Sequence, residues 1–405
     1  MKYVYSTLCY ILLTSLLFGA CQGSKSRSPE GSGETTTGDL STQNYDLSEY
    51  AIIGKKEGQA KNVFHFYKNH MGTVFRLQLI GYDQETATAV ARVALAEVER
   101  IEHLVSSWRP QSEIGRLNQG AGQSSTSLSL ESAWLLCQSK QITHFSGGVF
   151  DVTWATLKGL WDFKKQVIPE RAELKKKLQH VGSHHIVLKR DGADPCPQLL
   201  HRTLPPSWTR FEPSPPIEWE QRVEASIDQV EVQIDLGGIA KGYAVDQVAR
   251  VLKRFGYTDF LIDGGGDLLV EGRSLNNEPW SAAITHPRRQ SRTWGSLWIP
   301  TGWSVVTSGD YERFFISDEV RYHHIIDLRT GYPARDSVSV TVIARGAMRA
   351  DAYATALFIL GPREGIALAE SLPELEALVF DSLGEVHATR GAYLFSPQLK
   401  NRWRE

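Results

Sequence analysis

The chain lacks charge of either sign in surplus: 44 Lys and Arg stand against 46 Asp and Glu in 405 residues, a formal net charge of -2 at pH 7. No electrostatic footprint for a nucleic-acid backbone follows, which excludes that partner class. Cysteine is scarce. Of the four, Cys9 and Cys21 fall in an N-terminal leader, Cys137 reads as a buried core thiol in the apolar run SAWLLCQ, and Cys196 sits in a Pro-rich stretch. The last two form no metal motif. An oxidising compartment would permit a disulfide between them, and geometry decides it. The apolar run LCYILLTSLLF is too short and wrongly flanked for a spanning helix. No repeat of ~20–50 residues occurs. G-x-S-x-G, the P-loop and G-x-G-x-x-G are all missing, so the glycine-rich turns that are present belong to another nucleotide or phosphate scheme.

Residues 1–21 read as an export leader. Lys2 supplies its positive end, and Leu17-Phe18-Gly19-Ala20-Cys21 resembles a bacterial lipobox, with Cys21 as the lipidated residue. Phe18 is less usual at its place and keeps an ordinary cleaved leader open as the alternative. The expectation is an exported, lipid-anchored protein facing the periplasm, in either membrane. Residues 22–45 are rich in Gly, Ser and Thr and read as a flexible tether. Residues 46–405 form the folded domain, interrupted at 190–222 by a segment with seven prolines and no clear period.

The chain is organised around 231–273. Val232 and Ile234 alternate as a strand ending at Asp235; Gly237 and Gly238 make a turn; and Ala244, Val248, Val251, Leu252 and Phe255 share one helical face up to a stop at Gly256. Lys241 lies in the first helical turn, where free N–H groups beside a cation suit a phosphate. FLID, three glycines and DLLVEG follow as a hairpin. Elsewhere, 62–81 reads as two strands around His70-Met71-Gly72-Thr73. Residues 84–107, 129–145 and 170–179 read as helices, Ser112 as a helix cap, HHIVLK as a strand carrying His184 and His185, SVSVTVIA as a strand, 350–359 and 362–370 as two helices, and LEALVFDSLGEVHATRGA as a last hairpin. Strands and helices mix without a regular βαβ succession, which places the chain in the α+β class with mixed, largely antiparallel sheets and packed helices.

Two further patterns carry chemistry. Asp351 and Thr355, four apart on a helix among alanines, offer hard oxygens to Mg²⁺; a capped helix start with a back-bonded threonine explains the same spacing. His324, beside His323 and ahead of IIDLRTGYP, is a candidate general base or an ordinary packed histidine. Thr307-Ser308-Gly309-Asp310-Tyr311 is a turn by itself. His184 and His185 have no ligand-spaced partner for zinc.

In order, MGT, W-x-P-x-SE-x-x-x-x-N, GxFD, DLGGIAKGYAVD, GGD, TSGDY, HIIDxRTGYP and AD-x-x-AT make a chain that resembles the ApbE family of FAD:protein FMN transferases, from about residue 60 to 390. That resemblance implies a T-fold-like architecture with the active site in a cleft between two lobes. It implies FAD as substrate, Mg²⁺ as cofactor, and transfer of FMN to a threonine hydroxyl of a target protein, such as a respiratory flavoprotein subunit, with release of AMP. Residue by residue, it assigns FAD contacts to Met71, Trp108, Val149, Phe150, Asp151, Asp235, Lys241 and Ile325. It assigns the metal to the Gly238 carbonyl, Asp351 and Thr355, and places His324 near the transferring phosphate as base, with Lys241 as the second catalytic group.

The sequence departs from the family at several places. Leu328 stands where proline is usual, which should loosen that turn; Ala354 stands where some relatives carry a further acidic ligand; and Trp108 replaces a tyrosine. The 190–222 insertion has no counterpart. An FAD pyrophosphatase yielding FMN and AMP, or a non-catalytic flavin-binding lipoprotein, are the alternative readings. No D-G-x-T acceptor motif occurs, so self-modification is not expected.

Overall fold

The structure, a computed structural model, describes residues 61–203 and 221–396. The leader with Cys21, the 22–45 tether and the middle of the Pro-rich insertion lie outside the described residues. Eight strands form one sheet in which spatial order follows chain order: β1 (Asn62–His70), β2 (Thr73–Gly81), β3 (Phe260–Gly264), β4 (Asp267–Glu271), β5 (Trp303–Gly309), β6 (Ser337–Arg345), β7 (Leu375–Asp381) and β8 (Val386–Ala388). Every neighbouring pair is antiparallel. The α+β expectation holds, and the meander explains it, because no parallel crossover is needed.

Among the described residues, seven helices accompany the sheet: α1 (Gln84–Val105), α2 (Glu113–Gln119), α3 (Leu130–Phe145), α4 (Arg171–Leu178), α5 (Cys196–Thr203), α6 (Ala240–Arg254) and α7 (Ala347–Ser371). Alternation decides which side chains meet them. Phe75 and Leu77 of β2, Phe260 and Ile262 of β3, and Val340 and Val342 of β6 pack into one core with Val90 and Val98 of α1, Val248 and Leu252 of α6, and Leu357 and Phe358 of α7. Ile80, Leu261, Val270 and Ile343 join a second core with Trp280, Ile284, Leu297 and Ile299 of a hairpin inserted between β4 and β5. β6 is buried along almost its whole length, its valines alternating with the small polar side chains of Ser337, Ser339 and Thr341.

Two excursions from the meander build the site. The first, between β2 and β3, holds α1 to α6 and a small antiparallel sheet of Thr126–Ser129, Arg222–Ile227 and Ile186–Lys189. The second, between β5 and β6, holds the hairpin Phe314–Ser317 and Val320–His323. A third core of Leu157, Trp161, Leu174, Phe315 and Ile326 ties the two excursions together.

Several local expectations are sharpened. Ser112 and Ser129 cap α2 and α3, accepting from the N–H groups of Gly115 and Ser132. The two helices read at 350–370 meet at Gly361, whose φ of 79° breaks α7 just before Pro362. Residues 231–235 are not a strand of any ladder. The Asn118 side chain bonds both the N–H and the carbonyl of Ile234, at 2.7 and 2.9 Å, and Thr156 Oγ1 takes the Gln233 N–H. Side chains therefore satisfy a backbone that alternates like a strand without being one. His184 and His185 lie in a short 3-10 turn ahead of strand Ile186–Lys189, and His185 pairs with Asp228 at 2.7 Å. Within the insertion, 196–203 is helical although no period announced it. Among the described residues, no helix is long and apolar enough to cross a membrane.

Cys137 on α3 and Cys196 at the start of α5 are joined in a disulfide, with Cα atoms 5.2 Å apart and a sequence separation of 59. The insertion is thereby pinned to the helix that leads into Gly147-Gly148-Val149-Phe150. Closing a loop of that length removes denatured-state entropy worth about 4 kcal/mol in the chain-entropy model. Replacing both cysteines by serine should lower unfolding free energy by roughly that amount, as checked by urea denaturation under non-reducing conditions.

Candidate active site

The N-terminal ends of α6 and α7 meet because each is held by a carboxylate of the other. Asp351 of α7 accepts the Gly242 N–H at 3.1 Å, and Asp246 of α6 accepts the Ala347 and Met348 N–H groups at 2.7 and 2.9 Å. Free N–H groups at helix starts favour anionic partners, and here each helix supplies them for its neighbour. The approach requires glycine at 242, since a Cβ there would overlap the Ala347 carbonyl. Asp246 is buried; burial pushes its carboxyl up to about 6, against the two N–H bonds and the cations Arg250 and Lys253.

Lys241, one residue earlier, sends its ammonium between two carboxylates: Asp267 at the start of β4, 2.8 Å away, and Asp351, 3.3 Å away. Burial alone would lower the lysine pKa, but the two acids outweigh it and hold the ammonium above its ordinary range. Asp267 is 2% exposed. Burial and then the charge of Asp351 push its carboxyl well above the ordinary range, against the pull of Lys241. The cation expected to face a phosphate is thus already compensated, and two carboxyl groups stand against one ammonium, a surplus of acid that Asp267 meets by holding its proton more tightly.

That surplus fits a divalent cation. Thr355 lies one turn after Asp351, and its hydroxyl makes only a long bond of 3.5 Å to the Asp351 carbonyl. A Cβ at Gly238 would lie 3.7 Å from Thr355 Oγ1 and 3.3 Å from the Phe150 ring, so the glycine turn passes directly over the threonine. Carboxylate, hydroxyl and carbonyl are the hard donors that Mg²⁺ takes. Ala354 is wholly buried. Among the described residues, Asp381, Glu385 and His387 also lie together, but the Leu383 and Glu385 N–H groups and His387 already engage Asp381, as a turn requires.

The histidines divide cleanly. His323 is fully used: its Nε2 donates to the Ala334 carbonyl at 2.7 Å, its Nδ1 accepts the Ile325 N–H, and its ring meets Phe358 edge-on. His324 has an enclosed Nδ1 with no partner among the described residues, and its backbone N–H donates to the Arg313 carbonyl at 3.1 Å. Burial, then the neighbouring His323 imidazole and the cations Arg313 and Lys241, lower its pKa from 6.5 to about 4. The imidazole is neutral at pH 7. The turn beyond it is closed despite Leu328: Arg329 grips both oxygens of Asp327, Thr330 donates to the Asp327 carbonyl, and Leu328 packs on the third core. The loosening expected from the missing proline is overcome by these bonds.

The remaining assigned positions surround this centre or support it. Met71 occupies the β1–β2 turn at φ 51° and lines a cavity of about 510 Å³ with His70, Glu102 and Arg109. The adjoining Thr73 packs against Gly265, whose φ of 74° and missing Cβ both matter there. Gly72 faces Arg313, the residue that holds His324. Val149, Phe150 and Ile325 are core residues, with Phe150 under Gly238. Asp151 caps a short 3-10 helix and binds the Thr153 and Ser183 N–H groups. Asp235 bonds the Gly237 N–H at 2.6 Å and is held by Ser107 and Lys158. Both carboxylates shape loops within the protein. Sequence reasoning missed Asp246, Asp267 and Lys158, and also Glu312, which lies within electrostatic reach of Lys241 and Asp351. Buried Asp310, in the TSGDY turn, is gripped by Arg288 at 2.6 and 2.7 Å.

A meander carrying paired helix starts, a compensated lysine and a cation-ready Asp-Thr-Gly set defines the class. The chain belongs to the ApbE family, whose model matches residues 71–379. It is 28% identical over 334 residues to the FAD:protein FMN transferase of Vibrio cholerae, covering 80% of this chain and 89% of that one. To the FAD:protein FMN transferase of Treponema pallidum it is 29% identical over 336 residues, covering 79% and 85%. Among solved structures, the ApbE protein of Thermotoga maritima superposes with a TM-score of 0.69 at 26% identity, covering 83% of this chain and 99% of that one. The flavin transferase ApbE of Vibrio cholerae does so at 0.67 and 25%, covering 83% and 99%.

Proposed function

We propose that this chain is an Mg²⁺-dependent FAD:protein FMN transferase that moves FMN from FAD to a threonine hydroxyl of a target protein. The observation that supports it best is the buried Lys241–Asp351–Asp267 cluster beneath Gly238 and Thr355, alongside the names of the relatives. Asp351, Thr355 and the Gly238 carbonyl would hold the metal, which when bound neutralises pyrophosphate charge and polarises the phosphorus. Lys241 faces the same place and stabilises charge that develops on the departing group. The acceptor oxygen bonds to the FMN phosphorus while the bond from that phosphorus to the bridging oxygen breaks. AMP leaves with that oxygen and the electron pair, and the hydroxyl proton passes to His324. Positioning supplies most of the rate in such chemistry.

Export and lipid anchoring through Cys21 belong to the same proposal. The leader sequence supports them, and the Cys137–Cys196 disulfide suits an oxidising compartment.

The test incubates the protein with FAD, Mg²⁺ and an acceptor protein, then looks for covalent flavin fluorescence in a denaturing gel. Labelled acceptor together with AMP is expected. FMN and AMP without label would mean hydrolysis instead, and binding without turnover would mean storage.

His324 gives a prediction with a definite sign. Its pKa near 4 keeps the base neutral, so kcat/KM for transfer should show no bend at pH 6.5 and should fall only toward pH 4. His324→Ala should lose about a hundredfold or more in rate. Full transfer by that variant across neutral pH would remove His324 from the reaction.

A further inference from the structure

Trp108 is 79% exposed, an unusual state for an indole. Beneath it lies Lys158, whose Nζ is 4.5 Å from the centroid of the Trp108 ring and 4.8 Å from that of Trp154. The same ammonium pairs with Asp235 and reaches Ser107 Oγ at 3.4 Å. The other Asp235 oxygen holds the Gly237 N–H at 2.6 Å, next to the Gly238 carbonyl. One lysine thus touches an open aromatic ring and, through Asp235, reaches the glycine turn. Its side chain is 25% exposed, and a cation partly removed from water binds an indole face more strongly than one at the open surface.

We propose that Lys158 is a positioning residue for the flavin nucleotide: clamped by Asp235, Ser107 and Trp154, it seats the Trp108 indole as a stacking platform. A ring held from beneath loses less freedom when a planar ligand stacks on its open face, so the gain appears in affinity and not in the chemical step. Trp154 serves as the second wall that keeps the ammonium from turning away. The assignment rests on FAD being the donor, as proposed above.

The test titrates FAD into the full chain and follows quenching of tryptophan fluorescence, with kcat for transfer measured at saturating FAD. Lys158→Met should raise the Kd by about tenfold and Lys158→Arg, which keeps the cation, by no more than about threefold. kcat should stay within about twofold in both. Trp154→Leu, which leaves every charge in place, should raise the Kd by about threefold or more and decides the matter should Lys158→Met fail to fold. An unchanged Kd in Lys158→Met or Trp154→Leu, an arginine variant as weak as the methionine one, or a fall in kcat at constant Kd would overturn the assignment. A parent protein that binds FAD but transfers nothing would sink the transferase reading and leave the comparison of Kd values standing; one that binds no FAD overturns both.

Discussion

Replacing Asp351 by asparagine should reduce FMN transfer by roughly a thousandfold or more, with the protein still folded. The carboxylate does three things at once: it receives the Gly242 N–H, pairs with Lys241 at 3.3 Å, and offers an oxygen beside Thr355. The asparagine carbonyl can keep the first of these, so the α6–α7 junction stays closed. The other two depend on charge and are lost. Stability should change little, because removing one of two buried acids also ends the repulsion felt by Asp267. Alanine is the blunter substitution, since it leaves the Gly242 N–H without its acceptor at a cost of about 1–3 kcal/mol. The measurement is transfer rate against Mg²⁺ concentration, with a thermal melt as the folding control. A variant that transfers normally at the same Mg²⁺ requirement would sink the metal assignment.

The sequence made the meander legible where alternation and glycine turns agree. In 62–81 period-two apolar residues, and in 260–271 two short apolar runs, flank turns that only a few conformations can close, so both hairpins are as read. The α7 break was visible because glycine followed by proline leaves a helix little choice. What stayed hidden depends on contacts across long sequence separations. Ile234 alternates like a strand residue, yet its partner is the Asn118 side chain, 116 residues away. Nothing in a local window reports that. The same holds for Asp246 and Asp267. Asp246 looks like a polar position on an amphipathic helix, and only the arrival of Ala347 and Met348 makes it a cap. Asp267 looks like the end of a glycine turn until Lys241 reaches it. Lys158 gave no signal, because an isolated lysine after a leucine is ordinary until two indoles and a carboxylate surround it.

Read as electrostatics, the centre is a charge balance left incomplete. Two buried carboxylates face one ammonium, and the missing positive charge is what a divalent cation would bring with the pyrophosphate. Asp267 compensates meanwhile by holding a proton more tightly than an exposed acid would, burial and Asp351 both acting in that direction. The helix starts add to this arrangement without consuming it. Their N–H groups are turned toward Asp351 and Asp246, which leaves Lys241 as the side-chain cation between Asp267 and Asp351.

That balance predicts what happens without the lysine. Lys241→Met leaves Asp267 and Asp351 buried and facing each other with no counter-charge, a loss of about 3–5 kcal/mol in unfolding free energy. Transfer should fall as well, by about a hundredfold or more, since the charge near the departing group is gone. The stability defect has a particular pH dependence. A carboxyl whose folded-state pKa lies above its unfolded value makes the folded chain bind more protons, so its stability rises as pH falls and declines as pH rises. In the parent, Lys241 opposes that upward shift of Asp267; in Lys241→Met nothing does. The variant should therefore melt at a higher temperature at pH 5.5 than at pH 7.5, with a larger difference than the parent shows. Mg²⁺ should raise its melting temperature more than that of the parent, because the ion then supplies the only positive charge between the two acids. Equal responses of parent and variant to both pH and Mg²⁺ would mean that the two carboxylates do not share a centre with the cation. Rescue by Mg²⁺ of stability but not of transfer would separate the two duties of Lys241: balancing the acids, and stabilising the charge on the group that leaves.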